Sequence, residues 1–121
     1  MKTVFMKTKL PKKSANIAPI LQNFQADLLK VYGEHLQKII LFGSYARGDF
    51  RESSDIDLLL LFDENYNVSL KDDEIYDKIA AIILENSYVI SLIPTSVQLF
   101  ETKKAPLYLN IKKEGIELWR K

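Results

Sequence analysis

The 121-residue chain has no cysteine, which excludes disulfides and thiolate metal sites. Histidine occurs once, at His35, which argues against a zinc centre or a Ser–His triad. It reads as a surface or capping feature at a helix end. Purely apolar runs such as LLLLF at 58–62 and IAAIIL at 79–84 fall far short of the roughly 20 residues that span a bilayer as a helix. The lysine-rich start is followed by SANIAPILQNFQA, which Asn, Pro and Gln interrupt; no apolar signal-peptide core follows it. The expectation is a soluble, cytoplasmic protein. Repeats, low-complexity tracts and linkers are also missing, so residues 1–121 read as a single domain.

What is present is ordinary in bulk and uneven in detail. Apolar residues make up 47% and charged residues 27%, both typical of globular domains. The net charge of +1 hides five lysines and no acid in residues 1–26, against eleven acids and three bases from Asp49 to Glu85. The basic start, residues 1–14, reads as a loose arm with a short β segment at Thr3–Met6. No aromatics are interleaved at stacking spacing, so solvated lysines rather than direct nucleic-acid binding are expected. Part of the acidic excess is offset if Asp55 and Asp57 hold divalent cations; the rest reads as solvated loops and helix faces.

Periodicity divides the remainder into alternating elements. Ile17, Ile20, Leu21, Phe24, Leu28, Val31 and Tyr32 follow helical spacing, with Asn16 as cap, Pro19 in the first turn and Gly33 at the end. Lys38–Phe42 and Ile56–Phe62 read as buried strands. Asp63–Ser69 is a polar loop, and Ser69 with Asp72 forms a capping pattern. The helix that follows turns Ile75, Ile79, Ile82 and Ile83 inward. Tyr88–Ile93 reads as a third strand closed by Pro94. Ser96 caps a short helix, Pro106 opens another that Gly115 ends, and Ile116–Trp119 adds an edge strand. Tyr32, Tyr76 and Tyr88 fall at apolar positions and read as core; Trp119 reads as a packing anchor or subunit contact. The predicted fold is α/β (α+β): a small mixed sheet of three to four strands flanked by helices.

The chemistry concentrates in GSYARGDFRESSDIDLLLLF, residues 43–62. Residues two apart on a strand share a face at a spacing of roughly 6.6–6.8 Å, so Asp55 and Asp57 point the same way. At an effective dielectric of about 20, like charges at that spacing repel by roughly 2–3 kcal/mol. Divalent cations remove that cost, and magnesium takes one or two carboxylates together with phosphates and waters. Two such ions would clamp the attacking and leaving oxygens of an in-line displacement. Gly43 lets backbone N–H groups approach a phosphate, and the Ser44 hydroxyl donates to one. Arg47 reads equally as a phosphate clamp or as a tether to a carboxylate. Ser54 is placed to orient an aspartate; Arg51 reads as a solvated charge. No Gly-Lys-Ser/Thr follows the glycine, which excludes a Walker A loop. The Asp-x-Asp runs into leucines, which excludes an EF-hand.

The run Gly43-Ser44, ten residues, Asp55-x-Asp57 resembles the defining motif of the DNA polymerase β-like nucleotidyltransferase superfamily. Within it, the chain is most similar to the minimal nucleotidyltransferases. Ala46-Arg47-Gly48, Ser54 and the ending PLYLNIKKEGIELW carry the likeness across nearly the whole sequence. The resemblance implies a polymerase β palm-like fold and magnesium-dependent transfer of AMP from ATP to a hydroxyl. It gives Asp55 and Asp57 as catalytic metal ligands, with Gly43 and Ser44 holding the triphosphate; Arg47 and Ser54 join them as nucleotide-binding candidates. It also implies an antitoxin role, in which a tyrosine of a partner HEPN ribonuclease toxin is adenylylated within a hetero-oligomer. Fuller versions of the fold carry a third carboxylate on a later strand. Here no acid lies between Glu85 and Glu101, and Ser87 falls at the expected place. Two alternatives stay open: a non-catalytic antitoxin acting by contact, and an aminoglycoside-type adenylyltransferase.

Overall fold

The two apolar runs that flank the motif become antiparallel neighbours at the centre of one sheet. β1 is Leu36–Phe42, β2 Ile56–Phe62, β3 Ile90–Ser96 and β4 Ile116–Arg120, in the order β3-β2-β1-β4. β1 pairs antiparallel with both β2 and β4, and β2 pairs parallel with β3, so the sheet is mixed, as expected. The computed structural model describes residues 10–64, 66 and 73–121. The β segment expected at Thr3–Met6 and the Ser69–Asp72 capping pair lie outside the described residues.

Among the described residues five α-helices flank the sheet: α1 Ala18–Tyr32, α2 Ser44–Arg47, α3 Asp73–Asn86, α4 Val97–Thr102 and α5 Pro106–Glu114. Strand alternation divides the core into two layers. Ile56, Leu58, Leu60 and Phe62 join Leu21, Phe24 and Leu28 of α1 and Ile75 and Ile79 of α3. Leu59 and Leu61 instead meet Ile40, Phe100 of α4 and Ile111 of α5. A strand covered on both faces explains why β2 reads as a continuous apolar run. Among the described residues no helix is long and apolar enough to cross a membrane.

Local signals placed several boundaries correctly. Gly33 ends α1 at φ 57°, its N–H donating to Leu29 O. Ser96 caps α4 by accepting from the Leu99 N–H at 3.0 Å. Pro106 opens α5. Trp119 is a buried anchor in β4. His35 sits at the surface, 3.2 Å from Asp63 and stacked on Tyr66.

Other expectations need correction. Asn16 does not cap α1: its amide donates to the Tyr88 hydroxyl at 2.6 Å, and the helix is entered through a 3₁₀ turn, Lys12–Ile17. That turn also takes in Lys12, Lys13 and Ser14, the end of the expected loose arm, with Ser14 fully buried. β3 does not stop at Pro94 but continues through it to Ser96, because an edge strand tolerates a proline. Tyr76 is not core but 49% exposed, and Ile83 faces solvent beside Leu84, which is 86% exposed. Only the Ile75 and Ile79 stripe of α3 meets the core fully; helical geometry carries Tyr76 and Ile83 off that face.

Candidate active site

The site begins where β1 ends. Gly43 follows Phe42 with φ 76° and ψ −154°, and Ser44–Arg47 form a single helical turn. Gly43 O accepts from the Ala46 and Arg47 N–H groups at 3.1 Å, and Ser44 O accepts from Gly48 at 2.8 Å and Asp49 at 3.1 Å. Gly48 leaves the turn in the left-handed region at φ 85°, where a glycine has no Cβ penalty. The turn is anchored to the core by Tyr45, which the sequence reading did not single out. Its buried ring stacks on Phe50 at 4.2 Å, and burial pushes its hydroxyl pKa up. Its carbonyl accepts from Ser14 Oγ at 2.7 Å.

β2 brings the carboxylates to this turn. The ladder pairs Asp57 with Phe42, which puts its side chain directly beside Gly43. A Cβ on Gly43 would lie 2.5 Å from Asp57 Oδ2, so only glycine admits the carboxylate here. Asp57 shares the face of Leu59 and Leu61, toward α4 and α5. Asp55 stands exposed just before the strand, near enough for its charge to act on Asp57. Burial raises the Asp57 pKa, the Asp55 charge raises it further, and Arg47 pulls it back down. The pair is therefore costly when ionised and short of positive charge. Oxygen donors at a half-open strand end fit a hard divalent cation such as magnesium. Among the described residues no cluster of three or more His, Cys, Asp or Glu side chains forms a metal cage. A cation held by these two carboxylates would have its remaining positions open to phosphate and water.

Strand register identifies the neighbour of Asp57 on the next strand. Ser87, the position expected from sequence, sits in the left-handed region at φ 62°, its N–H donating to Ile83 O at the end of α3. The residue paired with Asp57 on the parallel neighbour β3 is Ser91. No acid stands at that position.

The other named residues are held as follows. Arg47 is tethered: its Nε donates to Asp49 Oδ2 at 3.1 Å and its Nη1 to Glu114 Oε2 at 3.3 Å. Those bonds, to Asp49 first and Glu114 second, raise the pKa of the guanidinium. Ser54 Oγ accepts from the Arg51 N–H at 2.8 Å, a bond that closes the loop rather than orienting an aspartate. A cleft of about 220 Å³ opens beside the turn, lined by Phe42, Gly43, Arg47, Leu107, Asn110, Ile111 and Glu114. The α5 wall of this cleft is not legible in the sequence, where Gly115 marks only the end of a helix and nothing ties Glu114 to the motif.

A mixed four-stranded sheet with a glycine-serine turn at the end of one central strand defines a nucleotidyltransferase fold. The sequence pattern described as Nucleotidyltransferase domain matches residues 23–118, and the chain belongs to that family; it is a nucleotidyltransferase. It is 36% identical over 100 residues to "Putative protein adenylyltransferase MJ0604" of Methanocaldococcus jannaschii, covering 82% of this chain and 94% of that one. It is 31% identical over 102 residues to a second protein of that organism bearing the same description, MJ0141, covering 84% and 98%. Among solved structures, a toxin–antitoxin crystal structure with AMP-PNP superposes at a TM-score of 0.55 with 23% identity, covering 83% of this chain and 73% of that one.

Proposed function

We propose that this chain transfers AMP from ATP, with magnesium, to a hydroxyl of a protein partner in the cytoplasm. The acceptor is a tyrosine of a HEPN ribonuclease toxin, and the modification silences the toxin. The observation that carries the reading is the seating of the Asp57 carboxylate against Gly43, with the Asp55 charge close enough to act on it. A turn that exposes backbone and hydroxyl donors thus lies beside paired oxygen ligands. In this reading Asp55 and Asp57 hold magnesium, which supplies charge neutralisation at the phosphates. Gly43 and Ser44 seat the triphosphate, Arg47 faces it from the cleft wall, and Ser54 keeps the loop before Asp55 closed. The acceptor oxygen bonds to the α-phosphorus as pyrophosphate leaves. The printed descriptions of the relatives and of the AMP-PNP complex agree with protein adenylylation and an antitoxin context. The likeness carried by the motif extends this to the HEPN partner, one chain of a hetero-oligomer, with residues 1–121 acting as one domain.

The test is transfer of label from the α-phosphate of ATP to a purified HEPN partner. Label should appear with magnesium, and Asp55→Asn or Asp57→Asn should abolish it while circular dichroism stays native. Equal labelling by both variants would overturn the proposal.

A second reading rests on Ser91, the residue that β3 pairs with Asp57, which brings no third carboxylate. With two carboxylates, the chain would neutralise its partner by contact alone. Protection of cells by the Asp55→Asn/Asp57→Asn double variant would establish that reading over the first.

A further inference from the structure

We infer that Glu114 is a positioning residue for the nucleotide site: it orients Arg47 across the cleft, and the C-terminal helix-to-strand junction fixes it there. The inference rests on the reading of Arg47 as a triphosphate contact and names what holds that contact in place.

The argument begins at Gly115. A Cβ there would meet Ile111 O at 2.5 Å and Ile40 Cγ2 at 2.8 Å, so α5 lies against β1 at a distance only glycine allows. The Gly115 N–H closes the helix on Ile111 O at 2.7 Å. The chain then enters β4 at once, and Ile116 pairs with Leu41. Leu41 precedes Gly43 by two residues, and Ile116 follows Glu114 by two. The β1–β4 ladder thereby carries Glu114 to the turn that follows β1, although 67 residues separate it from Arg47.

Glu114 and Asp49 hold the guanidinium from two sides, through Nη1 and Nε. Both members of the Arg47–Glu114 pair are about two-fifths exposed, at 43% and 41%, and such pairs contribute little to stability. What the pair does is fix the rotamer of a long side chain on the wall of the cleft. An arginine ordered before binding spares the ligand the cost of ordering it. Leu107, Asn110 and Ile111 line the same wall one and two turns earlier, so the face of α5 that carries Glu114 is the face turned to the cleft.

The test is calorimetric titration of the full chain with a non-hydrolysable ATP analogue and magnesium, with a melting curve for each variant. Arg47→Ala should weaken binding about tenfold. Glu114→Ala should weaken it about three- to tenfold, the range expected when one flexible side chain must be ordered on binding. The double variant should bind no worse than Arg47→Ala, because the two residues act as a unit. Glu114→Gln, which keeps an oxygen acceptor, should recover most of the loss. Melting temperatures should move little. Wild-type affinity in Glu114→Ala, or losses that simply add in the double variant, would overturn the inference and leave the assignment of Arg47 standing. Wild-type affinity in Arg47→Ala would remove that assignment and the inference with it.

Discussion

Asp57 lies so close to Gly43 that its Oδ2 occupies the space where a side chain on residue 43 would begin, 2.5 Å from the position of a Cβ. The backbone there also has a positive φ of 76°. Gly43→Ala therefore meets two penalties at once, a steric collision with the carboxylate and a conformation that only glycine adopts freely. The loss of stability should be on the order of 1–3 kcal/mol, measured by urea denaturation. Nucleotidyl transfer should fall more than the loss of folded protein accounts for, since relief of the collision requires Asp57 to move.

Asp57→Asn should act in the opposite direction on stability. Burial and the neighbouring Asp55 both disfavour the ionised carboxylate. In chelator at neutral pH the variant should melt about 2–5 °C above wild type, the shift that roughly 1 kcal/mol gives at this size. Magnesium should raise the melting point of wild type and leave the variant nearly unchanged. Scanning fluorimetry with and without the ion reads both effects.

Ser91→Asp should install a third carboxylate beside Asp57, because the parallel ladder aligns the two positions. Magnesium affinity should rise about tenfold by calorimetric titration, and the metal-free protein should melt lower, since three like charges then share one strand end. Unchanged magnesium affinity would show that the Ser91 position does not face the cation.

Ser14→Ala tests the support beneath the turn. The Ser14 hydroxyl donates to Tyr45 O in a fully buried setting, and its removal leaves that carbonyl without its donor. The expected cost is about 1–3 kcal/mol in equilibrium denaturation.

Much of the framework was legible in the sequence, because it is written in local signals. Ile56–Phe62 was placed to the residue by its apolar run; Gly33, Ser96 and Pro106 were placed by glycine geometry, hydroxyl capping and the fixed φ of proline. Residues whose roles depend on distant partners were not. Whether Arg47 is a tether or a clamp cannot be read without Glu114, and Glu114 arrives only through the β1–β4 pairing. Counting along the chain points to Ser87 for a third acid, whereas the residue that the parallel ladder pairs with Asp57 is Ser91. Tyr76 and Ile83 read as core because the helical period gives a stripe but not its width. The proximity of Gly43 and Asp57 was implied by their spacing, yet the contact itself depends on Phe42 and Asp57 being opposite one another.

Pro94 has a consequence for how this protein meets other sheets. The Ile56 N–H donates to Val89 O at 2.8 Å, which directs the odd-numbered amides of β3 toward β2 and the even-numbered ones outward. The missing N–H of Pro94 therefore falls on the outer rim, where it costs the ladder nothing and denies a fifth strand one of its anchoring donors. The β3 rim is thereby blunted against zippering with a second copy.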